Sequence, residues 1–549
     1  MKKISLGLAQ SIKEINFILE NKKIDEEITW VPLNLETLLF LKLKRLKHLS
    51  LKKVVDNEFH KTGIVNIEKI INKIKKKSKL EFFLKKRYLG VIRKYINSIY
   101  LIIRIFDYVE KKFVLNKIYI SGWNRKNLKN IKKHFILSEI VTELYNRKYK
   151  IISLSKPKTS SSHKEKKMIL PSRFKNDYIL INNIGYNFFS LIKKNYLFKK
   201  ILVIDSENIS ILKRKIFRIL NIHFIRKENL SEKFTRKLYI PEINIKFKKH
   251  NLTKLISIIN KELKILLCSL LKEKSFFIQL FKKNKPSKII LNNTRGSNEF
   301  LTKISRKLKI PCFVASHGTL AEGTNKYSKI YNNIISEEVT TRDSINCVQS
   351  KIAYKFFKNN FNRKNYKVTG NLIFTETTKK KNSFFLYAVT TRDFLNMQYY
   401  GIETFYEFFN NLEELEKISN EMNIKVCVKT HPIIQDQIHN LKKYFNKLEF
   451  SGKKISLLLK DSIATISFSS TAIEDSLSSS VPVILFDRLN RYNHCSTSRN
   501  FINDASSAVH HVSNMIKLKS CIKLCLKRKK INFSKFIFDK QIQKNVQLK

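Results

Sequence analysis

Glycine and proline are scarce in this chain, 11 and 8 among 549 residues. That scarcity excludes collagen-like, elastic and Pro-rich disordered classes. Paired cysteines are also lacking. The seven cysteines, at 268, 312, 347, 427, 495, 521 and 525, show no CxxC spacing, and an odd, scattered set reads as reduced thiols rather than a disulfide framework. No apolar run approaches the about 18–20 residues that cross a bilayer. The best stretch, Tyr95 to Val109, is broken by Asn97, Arg104 and Asp107. After Met1-Lys2-Lys3 only a handful of apolar residues precede Gln10, Lys13 and Glu14, too few for a secretory h-region. The expectation is a cytoplasmic protein, neither exported nor membrane-spanning. Acid is short as well: 44 Asp+Glu face 108 Lys+Arg, a formal net charge of +64.

What is present suffices for large cores, with 43% hydrophobic and 11% aromatic residues. At about 150 residues per domain, the length suggests three or four domains, or two large ones with insertions. The charge has two readings. Abundant Lys, Ile and Asn fit AT-rich coding, which spreads lysines over solvated helix faces; alternatively the excess attracts a polyanion such as nucleic acid, anionic lipid or a phosphorylated substrate.

The pattern along the chain is β-α alternation. Ser11-Ile12-Lys13-Glu14 has capping-box spacing, so Ile4–Ala9 reads as a strand feeding a helix. Thr29–Leu33 reads as a second strand, and Asn34 caps a Leu-rich helix running towards His48. From Val65 to Val109 the pattern is helical and very basic, an inserted hairpin or a surface-docking element. Strands are expected at Lys117–Ser121, Lys150–Ser155, Tyr178–Asn182, Ile201–Asp205, Lys288–Leu291, Pro311–Ala315 and Tyr366–Thr369, with a helix over Asn127–Arg147. The segment 375–382 (TETTKKKN) has no apolar residue and reads as a linker. Alternation restarts after it with Phe384–Val389, Ile424–Lys429, Ala464–Phe468 and Val481–Phe486. The expected fold class is α/β: two Rossmann-like domains facing a central cleft, residues 1–374 with a basic helical insertion near 65–112, and residues 383–549, joined by a hinge at 375–382.

Ligands of open α/β sheets bind beyond the carboxyl ends of the strands, and five motifs fall there. Ser316-His317-Gly318-Thr319 follows the strand Pro311–Ala315; His317, or Glu322 just after it, is a candidate general base, or His317 simply caps a strand end. Val368-Thr369-Gly370-Asn371 is a glycine turn that brings backbone N–H groups to a ligand or merely opens the linker. Thr390-Thr391-Arg392 joins hydroxyls to a guanidinium that can hold phosphate oxygens bidentately, or is a solvated turn. Lys429-Thr430-His431-Pro432 sets a cation and an imidazole at a strand end, with Pro432 holding His431 extended. Ser467-Phe468-Ser469-Ser470-Thr471 with Glu474 places hydroxyls and helix N–H groups together as an anion site, or is an N-cap with Glu474 as its capping-box acid. No metal signature is present. HExxH, GxxxxGK[ST] and GxGxxG are all absent, which weighs against metalloproteases, P-loop ATPases and typical dehydrogenases.

The order His-Gly-Thr, Val-Thr-Gly-Asn, Thr-Thr-Arg, Lys-Thr-His-Pro and Ser-Ser-Thr-x-x-Glu, closing with Pro482-Val483-Ile484, resembles GT-B-fold glycosyltransferases of bacterial capsule and lipopolysaccharide synthesis that carry HP and SS motifs. It is also similar to the CDP-glycerol glycerophosphotransferases of teichoic acid synthesis and to the UDP-N-acetylglucosamine 2-epimerase fold. The matched stretch runs from Lys288 to His494. Ser316 stands where the glycerophosphotransferases have Trp, and Ser467-Phe468 where they have Asp-Tyr; the epimerase Asp-Ser-Gly-Gly is missing. The resemblance implies transfer of a sugar from a nucleotide-activated donor to an oligosaccharide or lipid-linked acceptor, without a metal or resident cofactor. A CDP-glycerol or ribitol-type polyol-phosphate transfer is the alternative, followed by an epimerase-like enzyme or a basic nucleic-acid-binding protein. The resemblance makes His317 the candidate base, and places His431, Ser469, Ser470 and Thr471 on the donor phosphates and Glu474 on the ribose. The motif chemistry adds Glu322 as an alternative base, His431 as a catalytic cation, and Arg392 and Lys429 on the nucleotide phosphate. The basic N-terminal helices would then meet an anionic membrane at its inner face, and no nucleic acid is expected as partner.

Overall fold

A computed structural model of the chain describes residues 2–22, 26–121, 137–154, 177–182, 199–205, 219–226, 244–247, 250–316, 320–321, 325–374, 376–378, 381–389, 391–392, 403–489, 503–527 and 529–538, with residues 191, 196, 217, 238, 240 and 495. Three parallel sheets carry it.

The first sheet has order β2-β1-β3-β4, from β1 (Lys2–Ala9), β2 (Ile28–Pro32), β3 (Phe113–Ser121) and β4 (Lys150–Leu154). Ser11 caps helix α1 (Ile12–Asn21) by accepting from the Glu14 N–H, while the Glu14 carboxylate reaches back to the Gln10 N–H. Asn34 forms a full capping box with Thr37 on α2 (Leu35–Leu43). That helix stops short of His48, where Arg45 takes the left-handed region at φ +54°.

Helices α3 (Asn57–Lys77) and α4 (Phe82–Lys112) form the expected basic hairpin. It is the crossover from β2 to β3, not an appendage. Ile92, Ile96, Ile99, Ile103 and Phe106 of α4 are at most 1% exposed, so α4 is a core helix and the surface-docking alternative does not hold for it. A helix apolar around most of its circumference is a buried one, and the lysines that suggested a surface cluster in the hairpin's turn and ends. Of the expected helix Asn127–Arg147, the structure shows α5 (Leu137–Tyr145); residues 122–136 lie outside the described residues.

The second sheet has order β11-β10-β9-β8-β5-β6-β7, from β5 (Ile179–Asn182), β6 (Ile201–Asp205), β7 (Ile222–Arg226), β8 (Lys288–Leu291), β9 (Cys312–Val314), β10 (Ile345–Val348) and β11 (Tyr366–Val368). Between them run α6 (Thr253–Lys283), α7 (Ser297–Lys307), α8 (Lys326–Val339) and α9 (Lys351–Asn360). The third sheet has order β14-β13-β12-β15-β16-β17, from β12 (Phe384–Ala388), β13 (Val426–Lys429), β14 (Glu449–Ser451), β15 (Ser462–Ser467), β16 (Val483–Phe486) and β17 (Val509–Val512). Its helices are α10 (Phe405–Met422), α11 (Ile438–Tyr444), α12 (Ile455–Leu459), α13 (Ala472–Ser478) and α14 (Met515–Leu526). Read by chain order within each, both sheets start at the centre, build outward on one side, then cross over and build on the other. That is the doubly wound Rossmann arrangement.

Residues 1–374, read from sequence as one acceptor domain, thus hold two separate sheets. Strand-helix alternation carries no mark of which sheet a strand will join. The first unit also packs on both others. Its α3 and α4 lie against α6, α7 and α8, and its α2 lies against α10, α11 and the turn Pro432–Gln437. Lys42 of α2 reaches Glu413 at 3.1 Å and Tyr444 at 3.3 Å, and Ser50 Oγ lies 2.7 Å from the Tyr406 hydroxyl. The C-terminal segment returns to the second sheet, where the Lys351 N–H donates to the Phe536 carbonyl at 3.0 Å and Phe538 packs on Tyr354. Among the described residues no helix is long and apolar enough to cross a membrane.

Candidate functional site

In the third sheet the strand order reverses between β12 and β15, so the crevice a ligand would use lies beyond Ala388 and Ser467. Ser467 is fully buried and donates its hydroxyl to the Ala388 carbonyl at 2.6 Å, joining the two strand ends. Register then aligns the neighbours. Ala388 pairs with Lys429, and Lys429 with Ser451. On the other side Ser467 pairs with Leu485. Three of the five sequence motifs therefore arrive at one edge of one sheet: Thr391-Arg392, Lys429 to Pro432, and Ser467 to Glu474.

Lys429 is half-buried, and burial pushes its ammonium below the ordinary lysine range. Its Nζ donates to the Thr430 carbonyl at 2.8 Å, and among the described residues it has no carboxylate partner. Thr430 is locked to the neighbouring strand, its N–H donating to the Ser451 carbonyl at 3.1 Å. Pro432 then opens a 3-10 turn to Gln437, kinked at Ile434, whose N–H donates to the His431 carbonyl at 3.0 Å. His431 is partly exposed at the head of this turn.

Thr391 and Arg392 pair in parallel with Glu403 and Thr404, which holds the backbone beyond β12 in place; the Arg392 side chain lies outside the described residues. The sequence singled out the Thr391 hydroxyl together with Arg392, and the structure adds its burial. Thr391 is 1% exposed and its Oγ1 has no hydrogen-bond partner among the described residues. Buried hydroxyls are ordinarily paired with protein or ordered water.

The fifth motif differs from expectation. Helix α13 spans seven residues, and Thr471 at its N-cap makes no side-chain capping bond, so the capping-box alternative does not hold. Its first turn carries Glu474 and Asp475, both buried. Two acids there oppose an anion, so the helix end by itself is not the anion seat that the sequence suggested. Ser469 is partly exposed, while Ser470 is buried and its Oγ accepts from the Ala472 N–H at 3.3 Å. Burial, and after it the Glu474 charge, pushes the Cys495 thiol well up, while Lys355 of α9 opposes the shift. Cys495 therefore sits within electrostatic reach of both the third sheet and the second.

The Val-Thr-Gly-Asn motif is a structural turn. Gly370 takes φ +63°, Gln349 Oε1 accepts from the Leu372 and Ile373 N–H groups at 3.1 Å each, and Asn371 Nδ2 donates to Glu376 at 2.8 Å. His317 and Glu322 lie outside the described residues; Ser316, just before them, accepts from Gln349 Nε2 through its carbonyl at 2.8 Å. Among the described residues no cluster of three or more His, Cys, Asp or Glu could hold a metal ion.

No protein-family model and no curated protein matches this chain. Solved structures do. The UDP-GlcNAc 2-epimerase of Methanocaldococcus jannaschii is 13% identical, with a TM-score of 0.38 over 67% of this chain and 98% of that one. A putative UDP-N-acetylglucosamine 2-epimerase of Listeria monocytogenes is 10% identical, with a TM-score of 0.40 over 64% and 88%. The wall teichoic acid polymerase TagF is 11% identical, with a TM-score of 0.36 over 64% and 81%.

Proposed function

We propose that this chain transfers a sugar from a nucleotide-activated donor to an oligosaccharide or lipid-linked acceptor, as the motif order of GT-B transferases implies. The observation that carries the reading is Lys429, a half-buried cation with no carboxylate partner among the described residues, one strand from the switch point of a Rossmann-ordered sheet. Burying such a cation costs free energy that an incoming anion offsets. At a switch point the fitting anion is the diphosphate of a nucleotide.

In this reading Arg392 takes phosphate oxygens bidentately, and Thr391, Ser469, Ser470 and Thr471 supply hydroxyl donors. His431 stabilises the departing phosphate, and Glu474 receives the ribose hydroxyls. His317 or Glu322 removes the proton of the acceptor hydroxyl as its oxygen attacks the anomeric carbon. The bond from that carbon to the diphosphate breaks, and the negative charge leaves with the nucleotide, where the cations meet it. The reading requires no resident cofactor. Residues 375–382 act as the hinge between the second sheet, to which residues 536–538 return, and a donor domain built on the third sheet, and closure excludes water.

The test is a thermal shift of the purified chain with UDP, CDP, CMP, GDP and ADP. A nucleotide at about 100 times its Kd adds about 2.7 kcal/mol, a rise of several degrees. One pyrimidine nucleotide is expected to stabilise the chain, and Lys429→Ala to abolish the shift. A shift unchanged in Lys429→Ala, or none with any nucleotide, overturns the reading.

A further inference from the structure

A groove runs along the seam between the hairpin α3/α4 and helices α8 and α9. Two cavities open on it, of about 350 Å³ and about 430 Å³, and Asn333 and Glu337 of α8 line both. Every lining residue precedes residue 362, so the groove is separate from the third sheet and its strand-end loops. We propose that it is a second binding site, for an acidic oligosaccharide.

Two adjoining cavities with a common wall suit a chain of ring units better than one compact molecule. The charge count sets the kind of chain. In the first cavity Lys86 is engaged by Glu299 at 2.7 Å, Lys75 by Glu337 at 3.8 Å, and Asp343 by Arg306 at 2.9 Å. Lys85 and Arg342 remain, and among the described residues neither has a carboxylate partner. In the second cavity Arg93 is held by Glu68 at 2.6 and 3.2 Å, leaving Lys69 and Lys326 at the rim. Seven basic and four acidic side chains line the two cavities, so the groove is net positive and attracts an acidic chain. The carboxylates among its cations fit a chain whose acidic groups are spaced out by neutral rings better than one with a charge on every unit, such as nucleic acid.

The remaining wall matches that ligand. Asn72 and Asn333 present amides that no described side chain engages, and amides both donate to and accept from sugar hydroxyls. Phe82 is 57% exposed at the mouth, with Lys303 standing 3.7 Å over its ring. Phe361, partly exposed over the buried Phe356, adds an apolar face for the CH side of a sugar ring. The proposal does not depend on nucleotide binding by the third sheet.

Isothermal titration of the purified full chain tests it, with a hyaluronan tetrasaccharide as probe, in which every second unit is a glucuronate. Neutral chitotetraose and a twelve-residue oligothymidylate are the comparison ligands. The hyaluronan probe is expected to bind about tenfold more tightly than chitotetraose. Arg342→Glu and Lys85→Glu, both at the rim, should each weaken it about fivefold or more with the melting temperature unchanged, and the nucleotide shift should survive both. Should Lys85→Glu melt early, Arg342→Glu alone decides. No binding of the hyaluronan probe, equal binding by the variants, or tighter binding of the oligothymidylate that salt abolishes overturns the proposal.

Discussion

The Ser467 hydroxyl donates to the Ala388 carbonyl at 2.6 Å, with Ser467 fully buried, so the two central strands of the third sheet are joined at the point where strand order reverses. Ser467→Ala removes the donor and leaves a buried carbonyl without it, at a cost of about 1–3 kcal/mol. A urea titration should show the midpoint falling with an unchanged slope. A midpoint equal to that of the unaltered chain would show that the bond does not hold the strand ends together.

Lys429 should behave as a residue kept for binding at the expense of stability. Lys429→Met fills the same space without a charge to desolvate, so the ligand-free variant is expected to melt at or above the temperature of the unaltered chain. The same variant should lose the nucleotide-dependent shift. Melting curves with and without UDP and CDP read both effects, and a variant that melts several degrees lower would mean that Lys429 serves packing.

His510 and His511, on the edge strand β17, give the chain an acid sensitivity. Burial lowers each imidazole from 6.5 to about 4. Both stay neutral in the folded chain down to about pH 4, whereas the unfolded chain takes up their protons near pH 6.5. The unfolded state therefore binds more protons in that window, and stability falls as pH drops from 6.5 towards 4. Melting temperature against pH should flatten over this range in the double variant His510→Gln and His511→Gln; an equally steep curve would assign the loss to other groups.

Helix α4 should tolerate little. Ile99→Ala opens a cavity in a core shared with α6 and costs about 2–5 kcal/mol, whereas an exposed helix would lose only a few tenths. Deleting residues 65–110 removes the crossover between β2 and β3, so the product should be insoluble or unfolded by circular dichroism. A folded deletion product would return the hairpin to the status of an appendage.

Most strands were legible because parallel strands covered on both faces read as continuous apolar runs. Ile201–Asp205 and Lys288–Leu291 were read to the residue. The strands that escaped are β7, β10, β14 and β17, three of them at sheet edges. Ile222–Arg226 and Val509–Val512 carry His and Arg among their apolar residues, and edge positions tolerate this because one flank is unpaired. The candidate site was legible as motifs after strands. The structure brings the Thr391-Arg392, His-Pro and Ser-Ser motifs to one switch point and turns Val-Thr-Gly-Asn into a linker brace.

Residue order by itself determined the β-α alternation and which motifs follow strands, since these depend on local periodicity and chemistry. It could not assign strands to sheets, because partners far apart in sequence meet only when the chain closes. The tertiary structure decided that the four strands between residues 2 and 154 form a separate sheet packed on both others, that helix α4 of the basic hairpin is core, and that Lys429 lies half-buried in register with Ala388. Each depends on what surrounds a residue in space, and burial, charge pairing and register exist only once distant segments have packed.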